Sequence, residues 1–107
     1  MSGAGDLRER VTIEARSRVS DGAGGEVVTW AALATVWANV QALSGAEVTL
    51  AERIEARLPY NVTIRFRDDL RADMRLIRRG EVLNIRNLRD TDGRRRWLEI
   101  RAEGGVA

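Results

Sequence analysis

Five of the aspartates, Asp68, Asp69, Asp73, Asp90 and Asp92, are the side chains with which this sequence could activate water or hold a divalent cation. Paired carboxylates share such work only where both face one site. Asp68 and Asp69 are adjacent, so on an extended chain they point to opposite faces and suit a connector better than a catalytic pair. Asp90-Thr91-Asp92-Gly93 has the opening of a calcium loop, but Arg94, Arg95 and Arg96 follow it and the closing glutamate is missing. That segment reads as a turn. Histidine and cysteine are both absent, which removes the commonest general base, thiolate chemistry, disulfides and the usual zinc ligands. Gly22-Ala23-Gly24-Gly25 runs into a strand pattern with no Lys-Ser/Thr after it, as a hairpin loop does and a phosphate cradle does not. The expectation is a chain that is not an enzyme, with no catalytic residue, no metal site and no cofactor. A hydrolase relying on Asp68, Asp69 and Asp92 is the enzymatic alternative.

All 18 basic residues are arginine and the net charge is +2. Arginine holds its charge at any ordinary pH, which explains a pI near 10.3 beside so small a net charge. GC-rich codon usage favours arginine as well, so the pI says little about DNA binding. Two basic clusters, Arg78-Arg79 and Arg94-Arg95-Arg96, fall at hairpin ends, where they could meet a neighbouring subunit or face DNA. Glu81, Asp90, Asp92 and Glu99 dilute their field, and the few aromatic residues make no stacking platform for single strands. Trp30, Trp37 and Trp97 read as core or interface anchors.

Alternation predicts the elements that position these groups. Arg10–Arg16 alternates apolar and polar residues, as a strand with one buried face does. A turn at Ser20–Gly25 leads to a second strand, Glu26–Leu43, with Val36, Ala38, Val40 and Ala42 on one face and Trp37 on the other. The run Ala31-Ala32-Leu33-Ala34 breaks the register and predicts a bulge or bend. Ser44 and Glu47 have capping-box spacing, predicting a short helix over Ala46–Arg57 that Pro59 stops, or a loop that orders on assembly. Strands follow at Tyr60–Arg67, Met74–Ile77, Val82–Arg89 and Trp97–Arg101, joined by turns at Arg78–Glu81 and Asp90–Gly93.

With 107 residues the chain has room for one domain. The predicted fold is mainly all-β, a small antiparallel barrel or sandwich of about six strands with one inserted loop or short helix. Residues 1–6 read as a flexible arm, 7–103 as the domain with its insertion at 44–60, and 104–107 as a flexible tail. No run of residues has the length of an apolar membrane span and the start lacks the marks of a signal peptide. Synthesis in the cytoplasm and no membrane contact are expected.

Read in order, Leu7–Ile13, Asp21–Gly25 with Thr29-Trp30, Ala34–Val40 ending in Leu43-Ser44-Gly45, Val62–Arg67, Asp73–Arg75, Gly80–Ile85 and Arg96–Ile100 resemble the phage head–tail joining family, also called head-closure or stopper proteins, whose members include gene transfer agent versions. Pro59-Tyr60-Asn61 departs from that pattern. The resemblance implies a compact barrel-like subunit that forms a ring with itself, typically a hexamer, in a virion or phage-like particle. It further implies a portal or adaptor ring on the head side, a tail terminator or tail tube on the tail side, and double-stranded DNA nearby in the channel. Such a ring joins head to tail and helps retain DNA. On this reading Ser44, Glu47, Leu50, Glu52, Arg53, Ile54, Arg57 and Tyr60 are the candidate interface or lumen residues. The alternatives are another ring position, such as tail terminator, and a stand-alone nucleic-acid-binding barrel.

Overall fold

A computed structural model describes residues 7–45 and 48–104. Six strands pair in the order β1-β2-β3-β6-β5-β4 and close into an antiparallel barrel. They are β1 (Glu9–Ser20), β2 (Glu26–Ala42), β3 (Leu58–Arg65), β4 (Arg75–Arg78), β5 (Glu81–Asp90) and β6 (Trp97–Gly104), with one helix, α1 (Leu50–Ile54), between β2 and β3. The all-β reading holds.

Period-two alternation builds the interior. Val11 and Ile13 of β1, Ala38 of β2, Val62 and Ile64 of β3, Leu76 of β4, Leu83 and Ile85 of β5, and Leu98, Ile100 and Ala102 of β6 all point inward and are buried. Leu70 and Met74, from the connector between β3 and β4, complete this core, with Phe66 and Tyr60 packed against it. The β1–β4 seam is the shortest, three residue pairs from Thr12↔Ile77 to Glu14↔Arg75. Ion pairs brace it: Arg75 Nε lies 2.7 Å from Glu14 Oε1, and Arg78 donates twice to the Glu9 carboxylate at 3.0 and 3.3 Å.

Two bulges shape the sheet. Ile13 pairs with Ala34 and Glu14 with Ala32, leaving Leu33 as the extra residue in the run where the register was expected to break. Beyond it β1 and β2 continue as a two-stranded ribbon, which accounts for a long dimension of 50 Å against 32 and 26 Å. The second bulge has no warning in the sequence. Ile85 pairs with Ala102 and Asn87 with Arg101, so Arg86 is the extra residue of β5.

The turns use the chemistry expected of them. Asp21 Oδ1 accepts from the backbone N–H groups of Ala23 and Gly25, at 2.8 and 3.0 Å, ordering the ribbon tip. Arg79 and Gly80 both take positive φ between β4 and β5, as a tight two-residue hairpin requires.

Three boundaries differ from the sequence expectation. The helix is confined to Leu50–Ile54, and its capping box is Thr49 with Glu52 rather than Ser44 with Glu47. Glu47 lies outside the described residues, as do residues 1–6 and 105–107. Pro59 does not end the helix, which stops at Glu55 with Ala56 at positive φ; it sits buried inside β3. β6 runs through Glu103 to Gly104, both buried, where the sequence suggested that a tail begins.

Candidate interaction surfaces

The segment joining β2 to β3 folds back over the outer face of the barrel. Val62 and Ile64 point inward, so Asn61 and Pro59 point outward, and Arg101 and Glu103 of β6 stand across from them. An outward Pro and Glu are buried there because the segment covers them. Between segment and barrel lies a cleft of about 760 Å³ lined by Glu52, Arg57, Asn61, Arg86, Arg101 and Glu103 among others.

Two buried carboxylates organise this contact. Glu52, 2% exposed, accepts from the Thr49 backbone N–H at 2.8 Å and from Arg101 Nη2 at 3.1 Å. Glu103 Oε1 receives Arg57 Nη1 at 2.6 Å and Arg86 Nε at 2.7 Å. Arg86, the extra residue of the β5 bulge, reaches Glu103 across the outer face. Burial pushes the Glu52 carboxyl up. The hydrogen bonds it accepts from the Thr49 backbone and hydroxyl, with the Arg101 charge, outweigh burial and hold it down at about 2. The arrangement fastens the segment to the barrel.

Of the residues expected to form an interface or face a lumen, the structure therefore gathers two kinds. Glu52 and Arg57 face inward to the barrel wall and Tyr60 packs against the core, its ring 5.6 Å from the Arg78 guanidinium. Leu50 and Ile54 project outward, 71% and 74% exposed. Arg53 donates to the Gly45 carbonyl at 2.8 Å, and Ser44 is exposed just before it.

The arginine clusters are engaged within the chain. Arg78 and Arg79 both contact Glu9. Arg96 binds Asp92, Arg95 reaches Asp68 at 3.6 Å, and the Arg94 and Arg95 backbone N–H groups donate to Asp92 and Asp90. The Arg96 hydrogen bond, with that from the Arg94 backbone, holds the Asp92 carboxyl below the usual range. The aspartates expected to shape turns are thus doing that. Among the described residues no acidic group is arranged to hold a metal ion.

Every aromatic ring carries an arginine over it. Arg75 lies 4.2 Å from the Trp30 ring centre, Arg10 5.1 Å from Trp37, Arg65 5.3 Å from Trp97 and Arg95 5.0 Å from Phe66, with the Arg78–Tyr60 pair completing the set. Trp37 stays half in solvent beneath its arginine; Trp30 and Trp97 are half-buried.

The ribbon is the exposed apolar surface that sequence reasoning missed. Val19, Val27, Val28 and Leu33 on it are all exposed. Its signal was present in the length of the Glu26–Ala42 strand, longer than a barrel this small can pair on both edges.

The family model described as phage head completion protein matches residues 3–105. The fold is similar to the solution structure of protein SF1141 from Shigella flexneri 2a, with 30% identity, a TM-score of 0.74 and coverage of 97% of each chain. It is also similar to a chain from the virion of a native gene transfer agent particle, with 27% identity, a TM-score of 0.73, and coverage of 94% of this chain and 97% of that one. No curated protein matches the sequence.

Proposed function

The chain belongs to the phage head completion protein family, and from that premise we propose that it is a non-catalytic subunit of a ring, six copies around a DNA channel, at the head–tail junction. In that place it joins the DNA-filled head to the tail and helps retain the DNA, with a portal or adaptor ring on one side and a tail terminator or tail tube on the other. A structural role in a phage-type head follows from the family itself. The ring, its stoichiometry, its neighbours and the closing of the channel are the added reading.

One observation carries it. The polar chemistry of the described surface is turned inward to acid–arginine pairs, while large aliphatic side chains stand in water at the ribbon and at α1. Enzymes converge polar groups that are free to meet a substrate on a concave pocket; here the carboxylates of the cleft are taken up by its own arginines, and exposed apolar groups sit on projections, as surfaces that fit other subunits do. The charged surface suits a ring as well, because sign-mixed charges set register between copies more than affinity.

Removing the gene from cells that make the particle tests the reading. The expected result is DNA-filled heads that fail to join tails and lose DNA, restored by the intact chain. Tailed, DNA-retaining particles made without it overturn the reading. The isolated barrel should bind duplex DNA only weakly, whereas a stand-alone DNA-binding module would bind it tightly with a steep salt dependence.

A further inference from the structure

The side of the β1–β2 ribbon that continues the barrel interior carries no charge. Past Val11 and Ile13 the inward positions of β1 are Ala15, Ser17 and Val19, and across from them in β2 stand Ala31, Thr29 and Val27. Val19 and Val27, directly paired, are 51% and 50% exposed. The Thr29 hydroxyl is turned onto the Ser17 carbonyl at 3.4 Å, within the ribbon itself. The opposite side holds the charges, with Arg18 paired to Glu26 at 3.8 Å and Arg75 over Trp30. A face that is core in the barrel thus runs into solvent, with none of the described residues covering Val19 and Val27. Two-stranded ribbons are marginal in water unless something packs on them.

The same chain supplies a match. Leu50 and Ile54 stand one helical turn apart on α1, share its outward side, and are the most exposed large apolar residues among those described. They cannot meet the ribbon of their own copy. At roughly 3.3 Å per residue, the strand β2 carries the chain from the ribbon tip along most of the 50 Å long dimension before the α1 segment starts. Charge agrees with the pairing. Asp21 at the ribbon tip has only backbone N–H groups as partners, and Arg53 beside Ile54 donates to a neutral carbonyl.

We propose that the uncharged ribbon face of one copy packs on the Leu50–Ile54 patch of a second copy, with Asp21 of the first near Arg53 of the second. The contact joins two different surfaces, so repeated it either closes a ring or runs on as a filament. Each patch is far smaller than the ~800 Å² per partner of a stable pair, so the contact holds in an assembly and is weak between two free copies. The proposal supplies the contacting surfaces for the ring and rests on that reading for closure.

The absence of cysteine makes the test clean. Val27→Cys with Ile54→Cys places the chain's only thiols at both ends of the contact, where neither substitution touches the core. After treatment of assembled particles with a short bis-maleimide, the double variant should give a ladder at multiples of 11.9 kDa. Either single variant alone should stay at the monomer position, and the two co-produced should give a dimer. Particles that contain the double variant yet give no ladder overturn the contact and leave the head–tail reading standing, as does a dimer formed by Val27→Cys alone. Should the chain be missing from particles, the head–tail reading fails instead. Purified protein at about 1 mM, where even a weak contact is populated, then decides the contact, a ladder upholding it and its absence overturning it.

Discussion

Glu52 Oε1 lies 3.1 Å from Arg101 Nη2 and 2.8 Å from the Thr49 backbone nitrogen, so one buried oxygen both caps α1 and fastens it to β6. The large apolar side chains of α1, Leu50 and Ile54, face solvent and give the segment no anchor. The position of the segment therefore rests on this carboxylate and on the Arg57–Glu103 pair.

Glu52→Ala leaves the Arg101 guanidinium facing a cavity and the helix start without its cap. A loss of about 2 kcal/mol or more is expected in urea unfolding, with faster amide exchange confined first to residues 48–57. A stability change within about 0.5 kcal/mol would contradict the anchoring role.

The pH dependence has a definite sign. Glu52 titrates near 2 in the folded chain against an ordinary 4.5, so its ionised form favours folding. Its contribution is complete above about pH 4.5 and is lost as pH falls from there toward 2. Asp21, Asp69 and Asp92, also held low, act in the same direction, so Glu52→Gln isolates one share: its urea midpoint should fall less steeply across that window than the parent's. Equal slopes in the two proteins would remove Glu52 from the account.

Gly104 sits where β6 passes close to β5. A Cβ added there meets Leu83 Cδ2 at 2.6 Å and the Val82 carbonyl at 3.0 Å. Gly104→Val should therefore cost about 1–3 kcal/mol by overpacking, lowering the melting midpoint by several degrees. A tail position would tolerate the change with no shift, and that outcome would exclude residue 104 from the barrel.

The short β1–β4 seam predicts measurable coupling between Glu14 and Arg75, which stand directly opposite each other and keep 21% and 24% side-chain exposure. A double-mutant cycle to Gln and Met should give about 0.5–1 kcal/mol, shrinking as salt is raised. A zero coupling energy at low salt would leave the Glu14–Arg75 pair with no share in holding the seam.

Much of the barrel is legible in the sequence because each wall strand buries one face and so alternates: Val11/Ile13, Val62/Ile64 and Leu98/Ile100 announce themselves. The Leu33 bulge is legible too, since small residues in Ala31–Ala34 interrupt that pattern. The bulge at Arg86 is not, because an extra arginine between Ile85 and Asn87 looks like an ordinary outward residue. Nor does anything local mark Glu52, Pro59 or Glu103 as buried. Their burial comes from a segment folding over the outside of the sheet, a contact between residues 46 or more positions apart along the chain. Ser44 and Glu47 match a capping box in spacing, yet the box of α1 is Thr49 with Glu52, whose carboxylate is also held by Arg101 on the barrel.

Cryo-electron microscopy of the intact particle puts the central claim to its most direct trial. A closed ring of six-stranded barrels between head and tail is expected, with ribbon and α1 buried against neighbouring copies. Particles whose head–tail junction is complete with this chain absent, or present elsewhere in the shell, would contradict it.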